Sequence, residues 1–165
     1  MVDVRRLSPD DWPRWRDLRL TALADSPDAF GSTLERERAF TEADWRQRLA
    51  NPTLVVEHGG QPIGCAAVFE PEPGLATVVA MWVERDHRGH GHSRVLLDHL
   101  VVWARERDDR IVLGVNRANP IARAAYVAYG FVPTGEAHPL RDGSAQLCDV
   151  LELPQQRMPQ VSWRG

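Results

Sequence analysis

The chain has 165 residues, the length of one domain and enough for a hydrophobic core. Its formal net charge of −3 leaves no surplus of basic charge to point to nucleic acid or an anionic membrane. All 20 basic residues are arginine, which excludes lysine Schiff-base chemistry. In chain order, VDVRRL reads as a first strand. SPDDWPRWRDLRLTALAD reads as a helix, with Ser8 as cap and Trp12, Trp15, Leu18 and Ala22 at helical spacing. Pro13 inside that pattern predicts a start later than the cap. SPDAFGST is a break, and a second helix follows Thr41 with Trp45 and Leu49 one turn apart. TLVVEH and IGCAAVFE form a hairpin through GGQP, and PEPG turns the chain into LATVVAMWV. A glycine-rich turn, a helix Ser93–Arg107, a strand IVLGV, a helix from Pro120 to about Ala128, and strands near Phe131–Pro133 and AQLCDVLEL complete the order.

Cys65 and Cys148 lie far apart in apolar runs, so no disulfide framework or zinc motif is expected. The start lacks the apolar core of a signal peptide, and no apolar run is long enough for a bilayer. A cytoplasmic protein is the expectation: one domain over residues 1–153, then a poorly ordered tail over 154–165 unless Trp163 docks.

The connection RGHGHS, residues 88–93, carries the chemistry. A helix's first turn leaves backbone N–H groups unpaired and partly positive. Gly89 and Gly91 let the main chain curl around an anion, and Arg88 adds a charge and a fork of donors. Together these suit a phosphate or pyrophosphate. A dinucleotide fingerprint would need glycine where Arg94 stands, and a Walker A loop would need Gly-Lys. His87, His90 and His92 offer a metal reading without a nearby carboxylate or cysteine partner, so no metal is expected. A glycine-rich connector without a ligand is the plainest alternative.

The turn resembles the acyl-CoA pyrophosphate loop of the GCN5-related N-acetyltransferase (GNAT) superfamily: Arg or Gln, two residues, Gly, one residue, then Gly or Ala. Here Arg88, Gly91 and Ser93 stand at those positions; the small Ser93 departs from the preference and is itself a good helix cap. A second segment, VNRANPIARAAYVAYGF, is similar to the family's later motif. Asn119-Pro120 opens a helix, Tyr126 follows about two turns later, and Gly130 ends it. The resemblance is best over roughly residues 53–153, and LRLTALADSPDAFGST is also similar to one subgroup.

The resemblance implies an α/β (α+β) acyl-CoA N-acyltransferase fold, with a mixed, mostly antiparallel sheet of roughly six or seven strands and about four helices. It implies acetyl-CoA as cosubstrate. The backbone of Met81, Trp82 and Val83 would pair with the pantetheine arm, so that their side chains matter little. Arg88, Gly89, His90, Gly91, His92 and Ser93 would hold the pyrophosphate, with Asn119, Ala122 and Tyr126 on the opposite side. Tyr126 is the expected acid toward the leaving thiolate. The general base stays open among Glu70, Glu84, Glu35, His138 and a water chain. Phe30, Glu35 and Glu84 are candidate acceptor-site residues. Asp25, Asp28, Glu35, Glu37, Glu42 and Asp44 form either a cation-attracting surface or a solvated face interleaved with Arg36, Arg38, Arg46 and Arg48. The implied activity is acetyl transfer to a primary amine, of a small molecule first and of a protein N-terminus or side chain second. A module that binds acyl-CoA without turnover is the reading from another class. A monomer or homodimer fits the family.

Overall fold

The computed structural model describes residues 1–155 and 159–162. Its elements are β1 (Val2–Arg6), α1 (Trp12–Asp25), α2 (Leu34–Arg38), α3 (Glu42–Arg48), β2 (Thr53–His58), β3 (Gln61–Glu72) and β4 (Leu75–Val83), followed by α4 (His92–Arg105), β5 (Arg110–Asn116), α5 (Pro120–Tyr129), β6 (Val132–Pro139) and β7 (Leu147–Leu153). The strands form one seven-stranded sheet, in the order β1-β2-β3-β4-β5-β7-β6. Neighbours are antiparallel except β4 and β5, which run parallel. No helix among the described residues is long and apolar enough to cross a membrane.

Apolar spacing decides which face each helix covers. Leu96, Leu97, Leu100, Val101 and Ala104 make one stripe of α4, buried against Leu54, Ala66, Val78 and Leu113 of the sheet. Each fully buried leucine there is worth roughly 1.5–3 kcal/mol. On the opposite face Trp15, Leu18, Ala22 and Leu23 of α1 join Phe30, Trp45, Leu49, Val55 and Trp82 in a second core. Cys65 and Cys148 are buried and free.

Local chemistry explains most element boundaries. A 3-10 turn over Pro9–Asp11 takes up the start expected of the first helix, and α1 begins at Trp12 with Pro13 in its opening turn, where a missing N–H costs nothing. Thr41 and Asp44 cap α3 reciprocally. Helix α4 opens at His92 with Gly91 in the cap position at φ +82°, so Ser93 lies inside the first turn instead of capping it. Helix α2 is additional to the elements expected from sequence. Thr33 caps it, and Glu37, fully buried, takes a bidentate ion pair from Arg19 of α1 at 3.0 Å. Past β7, the Ser162 carbonyl lies 3.1 Å from His99 Nε2 on α4. Trp163 lies outside the described residues.

Candidate active site

The sheet opens in its middle. β4 and β5 pair only from Leu75–Arg110 to Val78–Leu113. Beyond that point Ala80 adopts φ +58°, and the β3–β4 register slips between Cys65–Trp82 and Ala67–Val79. That is a bulge. Its effect is visible in the side chains: Ala76 and Val78 face the α4 core, whereas Ala80 and Trp82 face the α1 core. The Cys65 thiol, pushed up to about 12 by burial, donates to the Ala80 carbonyl at 3.2 Å. β5 continues to Asn116 against β7 instead, so a cleft opens between Met81–Val83 and the start of α5. It is a cavity of about 720 Å³.

The α4 turn forms one wall. Gly89 and Gly91 sit at φ +79° and +82°, with open space where a side chain would begin. Glycine is therefore needed for the backbone conformation, and the loop surface stays accessible. The first bond within α4 runs from Val95 N–H to the Gly91 carbonyl, so the amides of His92, Ser93 and Arg94 precede the helical ladder. These features fit a diphosphate and, with the cleft, an acyl-CoA.

Arg88 lines the cleft and also has partners within the protein. Its Nε donates to the Val83 carbonyl at 2.7 Å and its Nη2 to Asp25 at 2.8 Å, so two of its five N–H donors are engaged within the protein. Trp82 Nε1 donates to the same carboxylate at 3.0 Å. The Trp82 and Ser26 hydrogen bonds, helped by Arg88, hold Asp25 down at about 2. The Trp82 side chain thus matters, because it anchors the acid that anchors the loop arginine. His87 pairs with Glu84 at 2.9 Å, and the His90 ring stacks 6.2 Å from His92. Desolvation, then His90, His87 and His58, lower the His92 pKa. His92, like Gly89, Gly91 and Ser93, lines the cleft; exposed His90 does not.

The opposite wall comes from β5 and α5. Asn119 caps α5 by accepting from Ala122 N–H at 3.1 Å. Asn116 is the residue that sequence reasoning missed. It is buried, donating to the Asp28 carbonyl at 3.0 Å and to Gln146 Oε1 at 2.7 Å while accepting from Ala118 N–H. Its only sequence signal was a polar residue ending an apolar strand. Tyr126 packs edge-on to Phe131, and its hydroxyl makes no hydrogen bond among the described residues. Its surface is half-buried, yet dense surroundings push the phenol up to about 12.

A second cavity of about 700 Å³ lies on the α1 face. It shares Met81, Asn116 and Tyr126 with the first. Phe30, buried, contributes to its wall, with Phe40, Arg48 and His138. Glu35 and Glu84 line neither cavity. Glu70 pairs with Arg107 at 3.1 Å, and Trp45 fills the core. The acidic residues of the first third are mostly engaged: Asp25 with Arg88, Glu37 with Arg19, Glu42 with Arg46, and Asp44 in its cap. The β6–β7 connection closes over this side. Arg141 Nη2 donates to the Pro27 and Phe30 carbonyls at 2.9 Å each, and Gln146 reaches Asp28.

Residues 12–131 match the Acetyltransferase (GNAT) family. The chain belongs to that family. A GNAT acetyltransferase from Streptococcus pneumoniae superposes with a TM-score of 0.77 at 15% identity, over 92% of this chain and 98% of its own. The structure of yncA from Salmonella typhimurium with its cofactor acetyl-CoA gives 0.73 at 18% identity, over 98% and 99%. In sequence, the chain is 33% identical over 84 residues to the 5-NmdU N-acetyltransferase of Pseudomonas phage PaMx11. That alignment covers 50% of this chain and 59% of the phage protein. As a GNAT protein the chain has the expected fold, with five helices around the open seven-stranded sheet.

Proposed function

We propose that this protein transfers the acetyl group of acetyl-CoA to a primary amine of a small molecule by direct attack. The observation that carries the reading is the meeting of two cavities, one beside the α4 amides and one on the α1 face, at Met81, Asn116 and Tyr126. The cleft suits a long thin cosubstrate and the second cavity an acceptor. The acetyl-CoA held by yncA and the N-acetyltransferase name of the phage relative support the same reading.

The cosubstrate, when bound, supplies an acyl carbon with a thiol leaving group. Amides of residues 89–94 take its diphosphate, and the unpaired edge of Met81–Val83 aligns its arm. A backbone N–H of that edge stabilises the carbonyl oxygen as charge builds. The acceptor amine forms the new N–C bond and gives up a proton to the base as the C–S bond breaks, and CoA leaves as the thiolate, which takes its proton from solvent. Of the four side chains considered as base, His138 is the one on the cavity wall. Its Nδ1 stands 2.9 Å from the Pro139 carbonyl, which can only accept, so Nδ1 carries hydrogen and Nε2 offers its lone pair. Tyr126, at about 12, is roughly three powers of ten less acidic than a thiol. It therefore serves as a hydrogen-bond donor to the departing sulfur and not as the final proton source.

The Arg141 and Gln146 ties draw the β6–β7 connection to residues 27–30 beside the acceptor cavity, which favours a small acceptor over a polypeptide. The test is to offer acetyl-CoA with a panel of amines, follow free thiol and weigh the products. Acceptor-dependent thiol release with an acetylated amine is expected. CoA binding without thiol release from any amine would replace this reading with that of a binding module.

A further inference from the structure

Buried hydrogen-bond donors without partners are uncommon, and each costs about 1–3 kcal/mol. Among the described residues, three such groups belong to side chains that line the acceptor cavity: Trp15 Nε1, Arg19 Nη1 and Ser32 Oγ. Trp15 and Arg19 stand one turn apart on α1, and both are more than nine-tenths buried. The Arg19 guanidinium is fixed, with Nε and Nη2 on Glu37 and its carbon 4.6 Å from the centre of the Phe30 ring. That leaves Nη1 held rigidly with nothing to bond. Indole N–H and guanidinium N–H can only donate, so their complement is an acceptor atom.

Charge sharpens the choice. Glu37 lies beneath the wall and is matched by Arg19, while Arg36 and Arg48 also face the cavity. Arg48 is 3.5 Å from Glu37, and Arg36 has an aromatic neighbour, Phe40, but no carboxylate. The lining carboxylate, Asp44, accepts from Thr41 N–H and Oγ1 and stays charged, so Arg19, Arg36 and Arg48 outnumber Glu37 and Asp44 by one. Desolvated donors beside one surplus arginine are matched by an oxyanion. We infer that the acceptor amine carries an oxyanion group, a carboxylate or a phosphate, which seats on Trp15 Nε1, Arg19 Nη1 and Ser32 Oγ. The substrate class is thus a zwitterionic or anionic amine; polyamines, uniformly cationic, are excluded.

This inference rests on the acetyltransferase reading above. Its test uses matched pairs: L-phenylalanine beside phenethylamine, β-alanine beside propylamine, and O-phosphoethanolamine beside ethanolamine. Each is offered with acetyl-CoA, and each is also added to CoA-saturated protein in a thermal-shift measurement. The oxyanion-bearing member of at least one pair is expected to react and to raise the melting temperature above its counterpart; the first two pairs report a carboxylate, the third a phosphate. Trp15→Phe and Ser32→Ala, which delete one donor each, raise KM for that member about tenfold with little change in kcat. Equal or better turnover of the partners lacking the oxyanion overturns the inference and leaves the acetyltransferase reading intact. Thermal shifts specific to oxyanion-bearing amines without thiol release uphold the inference and overturn turnover. No shift with any oxyanion-bearing amine overturns the inference outright.

Discussion

Asp25 at the end of α1 and Arg88 ahead of α4 are 63 positions apart in sequence and 2.8 Å apart in space. With Trp82 they tie the acceptor side of the molecule to the anion loop. Because the folded pKa of Asp25, about 2, lies below its ordinary 3.8, its stabilising contribution is complete above pH 3.8 and is lost as pH falls through the folded value. Asp25→Asn is expected to lower stability by roughly 1 kcal/mol at neutral pH. In acid the two proteins should converge toward pH 2. Denaturant melts across pH 2–7 check this, and parallel melts at neutral pH would remove Asp25 from the account.

His92 faces the cleft with its pKa held below the ordinary 6.5. A diphosphate placed beside it would favour the protonated ring, so binding takes up a proton. CoA affinity should therefore rise as pH falls from 8 to below 6, by about tenfold at most. His58, His87 and His90 stand around the same ring and, after desolvation, lower its pKa. Calorimetry should find the slope reduced in His92→Gln; a slope unaltered by that change would place the titration elsewhere.

Tyr126→Phe removes one hydroxyl from a packed ring and should leave the fold unaltered. A loss in kcat of about a hundredfold is expected, with CoA affinity little changed. Steady-state kinetics beside CoA titrations separate the two quantities. Wild-type kcat in the variant would end the role given to the phenol.

Gly114 makes room for His138. A side-chain carbon at position 114 would stand 3.0 Å from Nε2 and 3.3 Å from Cε1 of that imidazole. Gly114→Ala should displace the ring and lower kcat about tenfold without altering CoA affinity. His138→Gln should cost more, and the double variant no more than His138→Gln alone. Additive losses would show that the two positions act independently.

The sequence made the anion turn legible because helix mouths need unpaired amides and glycines with positive φ, which composition reveals. Asn119-Pro120 was equally readable, since capping is a local matter. Helix α2 escaped because its five residues depend on a distant partner, Arg19, for Glu37. Strand β6 runs to Pro139, beyond the piece near Phe131–Pro133, yet it is an exposed edge interrupted by Pro133 and Gly135 and has no alternating pattern to read. The engagement of Arg88 was hidden for the same reason as α2: its partner Asp25 is remote in the chain. Asn116 and the orphaned donors of Trp15 and Arg19 acquire meaning only when the second cavity is visible.

Ala80 has an effect beyond its own backbone. By reversing the direction in which successive β4 residues look, it sets Trp82 on the α1 layer, although Ala76 and Val78, at even spacing before it, face the α4 layer. Deleting that one residue would restore the regular β3–β4 pairing, with Trp82 still opposite Cys65, and would remove the left-handed backbone that stands where β4 parts from β5. One alanine thereby decides which layer holds Trp82, and with it the indole's tie to Asp25.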